Sequence, residues 1–400
     1  MDRLKFIDAD SHVMEPEDLW NNYLEEKYRH RVKAFTDYKR DPGIGETGMA
    51  SGKDTAGDGQ APLGFGIEVT IDDVTMPFNK DFAKMRVEMP GLGDSYEQLA
   101  EQQFPPTAYQ QIMQNSGIDY MVVYPTVALY TGHAPQMDKE PEFAQAMRRA
   151  YNTWLGDFTR DAGGRVFGAA GVDLRDPAAS AIEVRRTVEE YGFKAIHLQP
   201  TPVGDHRLYD EICDPLWSEL EDLDIPVGIH PGAGNAMDVM VNHYLPRQPG
   251  AQATVAFAMG NMIACAGFIM GGVLERHPKL RVTFLEAGAG WTAYWLERLA
   301  SSVNGGFRGL EIPGLTMHPI EYFQRQCFIS SEQDDPGIKQ AIDVIGDDNI
   351  VTATDFCHPE GRRYGQAAEM LMDLPGVSVE SKRKIMWDNA LKLYPIKPAN

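Results

Sequence analysis

The feature that most constrains this chain is an alternation of short apolar runs with helical stretches, beginning near residue 117 and continuing to the C-terminus. Met121-Val122-Val123-Tyr124 ends at Pro125-Thr126. Phe143, Met147, Tyr151, Trp154 and Phe158 then recur at three- and four-residue steps over about 140–160, the spacing of one helix face. Further strands are predicted at 166–172, 194–200, 225–230, 280–286, 327–331 and 350–355. Helices are predicted at about 177–191, 208–223, 252–276, 291–303 and 380–393. Counted from residue 4 there are eight strands, nearly every one followed by a helix, which predicts a (β/α)8 TIM barrel. A doubly wound sheet is the structural alternative, but no Gly-rich dinucleotide turn follows the first strand.

A single barrel domain accommodates all 400 residues, because such barrels commonly carry insertions. The long segment after the first strand, residues 31–105, loses periodicity, and Gly and Pro crowd the part from Asp41 to Gly66. It reads as an insertion or lid over the barrel mouth. Before it, Glu15-Pro16-Glu17-Asp18-Leu19-Trp20 predicts a short helix with acidic residues in its first turn.

A formal net charge of −21 opposes binding to nucleic acid or to an anionic membrane. No run approaches ~18 uninterrupted apolar residues; the most apolar stretch, 252–275, is punctuated by Gly260, Asn261, Gly267, Gly271 and Gly272. With no room for a signal peptide ahead of the first strand, the expectation is a cytoplasmic protein. Its four cysteines, Cys213, Cys265, Cys327 and Cys357, lack close-paired spacing and are expected to stay reduced.

The opening Phe6-Ile7-Asp8-Ala9-Asp10-Ser11-His12 places Asp8, Asp10 and His12 on one face of a strand. Carboxylate and imidazole at i and i+2 can reach one divalent ion such as zinc, manganese or iron, so Asp10 and His12 are a candidate ligand pair. Taken alone, the same pattern also fits a strand end that caps the next turn. Active sites of such barrels lie at the carboxyl ends of the strands. Asp10 and His12 end the first strand, His197 and Gln199 the fourth, His230 the fifth, Glu286 the sixth, Ser331 and Glu332 the seventh, and Asp355 the eighth.

Several of these motifs carry a resemblance. Ile7-Asp8-Ala9-Asp10-Ser11-His12-Val13-Met14-Glu15-Pro16, Gly228-Ile229-His230-Pro231-Gly232, Leu285-Glu286-Ala287-Gly288-Ala289-Gly290-Trp291 and Thr354-Asp355-Phe356-Cys357-His358-Pro359 resemble the amidohydrolase-related family. Its relevant branch contains aminocarboxymuconate-semialdehyde decarboxylase with related nonoxidative decarboxylases, hydratases and C–C hydrolases. The resemblance spans almost the whole chain, to Lys384-Ile385-Met386-Trp387-Asp388-Asn389-Ala390.

The resemblance implies a metal site of Asp10, His12, His230 and Asp355, with Asp355 also catalytic. Where the decarboxylases carry a catalytic histidine after the sixth strand, this chain has Glu286, which as an acid needs a raised pKa and otherwise acts as base or ligand. His197 is a second departure, and Gln199 stands where Arg is common. With His197 and Glu286 counted, there are donors enough for two ions. That opens a dinuclear iron oxygenase as the alternative to a metal-dependent hydrolase or carbon–carbon lyase acting on a small carboxylate or carbonyl compound. A catalytically inactive binding barrel is the third reading. His358 is expected to orient Asp355, and Trp291 to line the pocket or pack. Dimers are common in the family, and the insertion offers surface for one.

Overall fold

The computed structural model describes residues 4–37, 66–75, 99, 102–132, 134–232, 241, 243–245, 249–303, 314–358 and 364–398. Among these, eight parallel strands form one sheet in the order β1 (Ile7–Val13), β5 (Tyr120–Pro125), β6 (Val166–Gly171), β7 (Ala195–Leu198), β8 (Val227–Ile229), β9 (Val282–Phe284), β10 (Cys327–Ser331) and β11 (Ile350–Thr352). Helices follow the strands around the outside, making the predicted TIM barrel. The numbers omitted from this sheet belong to β2 (Val32–Asp37), β3 (Gly66–Ile71) and β4 (Val74–Thr75), which pair as a small antiparallel sheet. These three strands lie within the segment expected as an insertion; 38–65, 76–98 and 100–101 fall outside the described residues.

Side-chain alternation explains how the strands sort themselves. On β7, Ile196 and Leu198 join the large outer core against the helices, while Ala195 joins a separate inner cluster. That inner cluster contains Ile7, Ala9, Val122, Tyr124, Ala169, Leu285, Phe328 and Val351 from the strands, with Ala390, Leu393, Tyr394 and Ile396 from the C-terminal segment. Tyr394 inserts its hydroxyl to donate to Ala9 O (2.7 Å) and to meet Tyr124 Oη (3.0 Å). The barrel interior is therefore a packed core, and chemistry is confined to its mouth.

The seam between β1 and β11 has its own fastening. Asp355 N–H donates to Asp10 O at 3.0 Å, and His12 N–H donates to Phe356 O. The Asp8 carboxylate accepts from Thr354 N–H (2.9 Å), from the Thr354 hydroxyl and from Ser11 Oγ (2.6 Å). The ladder to β5 shifts register between Asp8 and Ser11. That irregularity corrects the expectation that Asp8, Asp10 and His12 share one face: Asp8 turns to the seam, and Asp10 and His12 remain aimed at the mouth.

Two local expectations also change. The helix expected to open at Glu15 is Leu19–Tyr23, with no acidic residue in its first turn. Glu15 is buried instead, and its carboxylate accepts from the backbone N–H groups of Thr126 (3.3 Å), Val127 (2.9 Å) and Ala128 (2.9 Å) in the turn after β5. The apolar stretch near 252–276 forms helices Pro249–Met270 and Val273–Arg276, broken where Gly272 takes a φ of 76°. Ala253–Met270 is long and apolar enough to cross a membrane by length and composition. In the fold it packs on the barrel, with Asn261 donating to Leu285 O at 2.7 Å and Trp295 Nε1 to Met262 O at 2.7 Å.

Candidate metal centre

Four buried side chains meet at the mouth beside the β1–β11 seam: Asp10 and His12 from β1, His230 just past β8, and Asp355 past β11. His12 Nδ1 lies 2.9 Å from Pro125 O and His230 Nδ1 lies 2.7 Å from Pro231 O. A carbonyl can only accept, so each Nδ1 carries the proton and each Nε2 presents a lone pair. Those two Nε2 atoms face each other at 3.0 Å.

Neither ring resolves this contact by taking up a second proton. Burial, reinforced by His358, lowers His12 to about 4, and burial with His12 beside it puts His230 well below the usual histidine range. Asp10 Oδ1 stands 3.8 Å from His12 Nε2 and 3.6 Å from His230 Nε2, and Asp355 Oδ1 stands 3.2 Å from His12 Nε2. Asp10 Oδ1 is buried without a hydrogen-bond partner, and Asp355 Oδ1 is buried against imidazole nitrogens. Four lone-pair donors turned on one another in a buried site fit a divalent cation. With metal–nitrogen bonds of about 2.1 Å, nitrogens 3.0 Å apart subtend about 90°, the angle of adjacent ligands in a five- or six-coordinate ion.

The surrounding residues hold this arrangement. His358 stacks on His12 with ring centroids 3.7 Å apart, places Nδ1 3.0 Å from Asp355 Oδ1 and Nε2 2.9 Å from Thr126 Oγ1. Burial alone would raise Asp355; His358 beside it more than offsets this and holds the carboxyl well below the usual carboxylate range. Asp10 moves the other way, pushed well up by burial and by the neighbouring Asp355. Asp355 and Glu286 both adopt left-handed backbone conformations, φ 58° and 48°, a strained geometry for residues with a Cβ that is common where function fixes a side chain's direction.

Glu286 places Oε2 3.6 Å from His230 Nε2, on the edge of the centre. His197 points to the mouth but lies edge-on to Tyr151, with centroids 6.1 Å apart. Among the described residues, the sets of three ligand atoms lying within 4.8 Å of one another are Asp10/His12/His230 and His12/Asp355/His358, without His197 or Glu286. Gln199 lies beside Gly232, and Trp291 packs edge-on to Phe284 (5.7 Å) with the outer core.

Three supporting residues escaped the sequence reading. Asp8 was legible only as a ligand-like acid, since its partner Thr354 is distant in sequence. Asp335 accepts from Ser331 Oγ, Ala289 N–H and Gly337 N–H, each at 2.7 Å, and so ties down the loop that follows Glu286. Tyr124 stacks under His230 with ring centroids 5.7 Å apart; an apolar strand run gives no signal of that use.

Residues 7–396 match the model of the amidohydrolase family. A 2-amino-3-carboxymuconate-6-semialdehyde decarboxylase from Dictyostelium discoideum is 24% identical over 322 residues, 79% of this chain and 82% of that protein. Among solved structures, an amidohydrolase from Mycobacterium avium subsp. paratuberculosis K-10 superposes with a TM-score of 0.75 at 23% identity, covering 98% of this chain and 99% of that one. A dihydroxybenzoic acid decarboxylase from Polaromonas sp. JS666, solved with bound manganese and the inhibitor 2-nitroresorcinol, superposes with a TM-score of 0.61 at 18% identity, covering 76% and 94%. The chain belongs to the amidohydrolase family, with relatives among its metal-dependent decarboxylases.

Proposed function

We propose that this protein is a metal-dependent carbon–carbon lyase of the nonoxidative decarboxylase type, acting on a small organic acid that carries a carbonyl or hydroxyl next to the departing carboxylate. The observation that carries the reading is the pair of proton-free Nε2 atoms of His12 and His230 held 3.0 Å apart beside the unpartnered Asp10 Oδ1 and the buried Asp355 carboxylate. Those four residues would hold one divalent ion, manganese or zinc by the donor set. When bound, the ion polarises a substrate oxygen and stabilises the charge left as CO2 departs.

The chain's own groups supply the rest. Glu286, beside His230 and 13% exposed, is placed to carry the proton that replaces the carboxylate on carbon. Asp355 is held ionised and oriented by His358, so it is a weak base that can take up a transient proton only briefly. His358 and Thr126 fix the direction of Asp355. The donors grouped most closely around His12 suit one ion, which favours this reading over a dinuclear oxygenase.

The relatives' names support the substrate class, since each describes a carboxylated unsaturated or aromatic compound. The test is CO2 release by manganese-loaded and zinc-loaded protein from a panel of hydroxybenzoates and unsaturated dicarboxylates. CO2 release that is lost in Glu286→Gln, with metal content unchanged, supports the reading. Ester or lactone hydrolysis without CO2 release from any acid would overturn it in favour of a hydrolase.

A further inference from the structure

Behind His12 lies a buried acid that has no place in the ligand set. Glu15 is 2% exposed, and both of its oxygens are taken up by backbone N–H groups of the turn after β5. Oε2 accepts from Thr126 at 3.3 Å and from Val127 at 2.9 Å, and Oε1 accepts from Ala128 at 2.9 Å. Burial pushes the carboxyl up to about 7 against the pull of those amides. Because both oxygens accept, a glutamine in this place would have to turn its NH2 group toward an N–H. The position therefore calls for an acid.

One of those amides belongs to a peptide group that is gripped from both ends. Pro125 C=O and Thr126 N–H form a single planar unit, and in the trans form they point in opposite directions. The N–H end donates to Glu15, while the C=O end accepts from His12 Nδ1 at 2.9 Å. A carboxylate, a peptide group and an imidazole are thus linked in series, and the series ends at the Nε2 lone pair of His12. Hydrogen bonds joined in this way polarise one another, so a negative charge at the N–H makes the carbonyl a stronger acceptor for the ring proton. Acids that support a metal-binding histidine usually touch the ring N–H itself; here the effect passes through a peptide group. The same turn has a second arm, since Thr126 Oγ1 lies 2.9 Å from His358 Nε2. His230 is held differently, by the carbonyl of Pro231 beside it in sequence.

We infer that Glu15 is a positioning residue for His12: by holding the Pro125–Thr126 peptide group it fixes the Nδ1–H form of the ring and strengthens Nε2 as a metal donor. The inference rests on the metal-dependent reading above and adds to it a residue outside the ligand set. The competing role is purely structural. If the β1–β5 ladder, which pairs Val13 with Pro125, placed that carbonyl unaided, Glu15 would serve folding alone.

Two measurements on the full-length protein separate these roles: NMR of the ring N–H signals in metal-free protein carrying isotope-labelled histidine, and Mn2+ affinity by calorimetry. Wild type is expected to show a slowly exchanging Nδ1–H signal that disappears in His12→Gln. In Glu15→Gln that signal should shift and exchange faster, with the His230 signal less affected, and Mn2+ should bind about tenfold more weakly. Glu15→Asp keeps the charge on a shorter stem; it should weaken Mn2+ binding about threefold and serves if Glu15→Gln fails to fold. A variant that loses stability in urea while its His12 signal and Mn2+ affinity stay as in wild type overturns the inference. So does a wild-type His12 that carries its proton on Nε2. A wild type that binds no Mn2+ would instead strike the metal reading, and the response of the His12 signal would still decide the part played by Glu15.

Discussion

Replacing His230 by alanine should abolish the stabilisation that metal gives the protein. In the metal-free wild type, the His12 and His230 lone pairs face each other at 3.0 Å in a buried site, an unfavourable contact. His230→Ala relieves it while leaving a small cavity, two terms of about 1–3 kcal/mol each and of opposite sign, so metal-free stability should change little. Metal binding is another matter. At a free ion concentration of about one hundred times Kd, wild type gains about 2.7 kcal/mol. Unfolding entropy of about 2.1 cal/mol/K per residue over 400 residues makes that a rise of about 3 °C in Tm. Differential scanning calorimetry with EDTA and with excess Mn2+ should show this increment in wild type and none in His230→Ala. An equal increment in both proteins would remove His230 from the metal site.

Asp355→Asn should lower turnover at least a hundredfold while circular dichroism stays native, because the shape is kept but one oxygen becomes an NH2 donor and the charge facing His12 and His358 is gone; near-normal turnover would contradict the assignment. Asp8→Ala strips the seam of the acceptor for Thr354 and Ser11 and should cost about 2–4 kcal/mol in urea unfolding, since the hydrogen bonds are charge-assisted; a change below about 0.5 kcal/mol would show the seam is held otherwise. Proton release gives the pH dependence. Asp10 is pushed well up by burial and Asp355, so the metal-free protein keeps a proton there to higher pH than an ordinary carboxyl does, while His12, lowered to about 4, is already neutral. Mn2+ therefore competes with that proton and should bind more tightly as pH rises, which calorimetry in buffers of differing ionisation enthalpy measures; no proton release, or affinity falling with pH, would refute it.

Much of the barrel was legible because its strands are buried on both faces and read as apolar runs between amphipathic helices. The helices Pro177–Tyr191 and Trp291–Val303 match their predicted spans. The acids and imidazoles at strand ends were legible for a related reason: polar residues closing an apolar run have few other uses. Contacts between distant segments were not. Thr354 as partner of Asp8, the turn at Thr126–Ala128 as partner of Glu15, and Ala289 as partner of Asp335 depend on how distant segments are brought together around the cylinder. Tyr151 shows the same limit from the other side, since its helical spacing marked it as core while its ring stands at the barrel mouth against His197.

The most direct test of the metal centre is anomalous diffraction from a crystal soaked in Mn2+. The account predicts one strong peak per chain, bonded to His12 Nε2, His230 Nε2 and the carboxylates of Asp10 and Asp355 at about 2.0–2.2 Å. A crystal with no such peak, or with manganese bound away from His12 and His230, would contradict it.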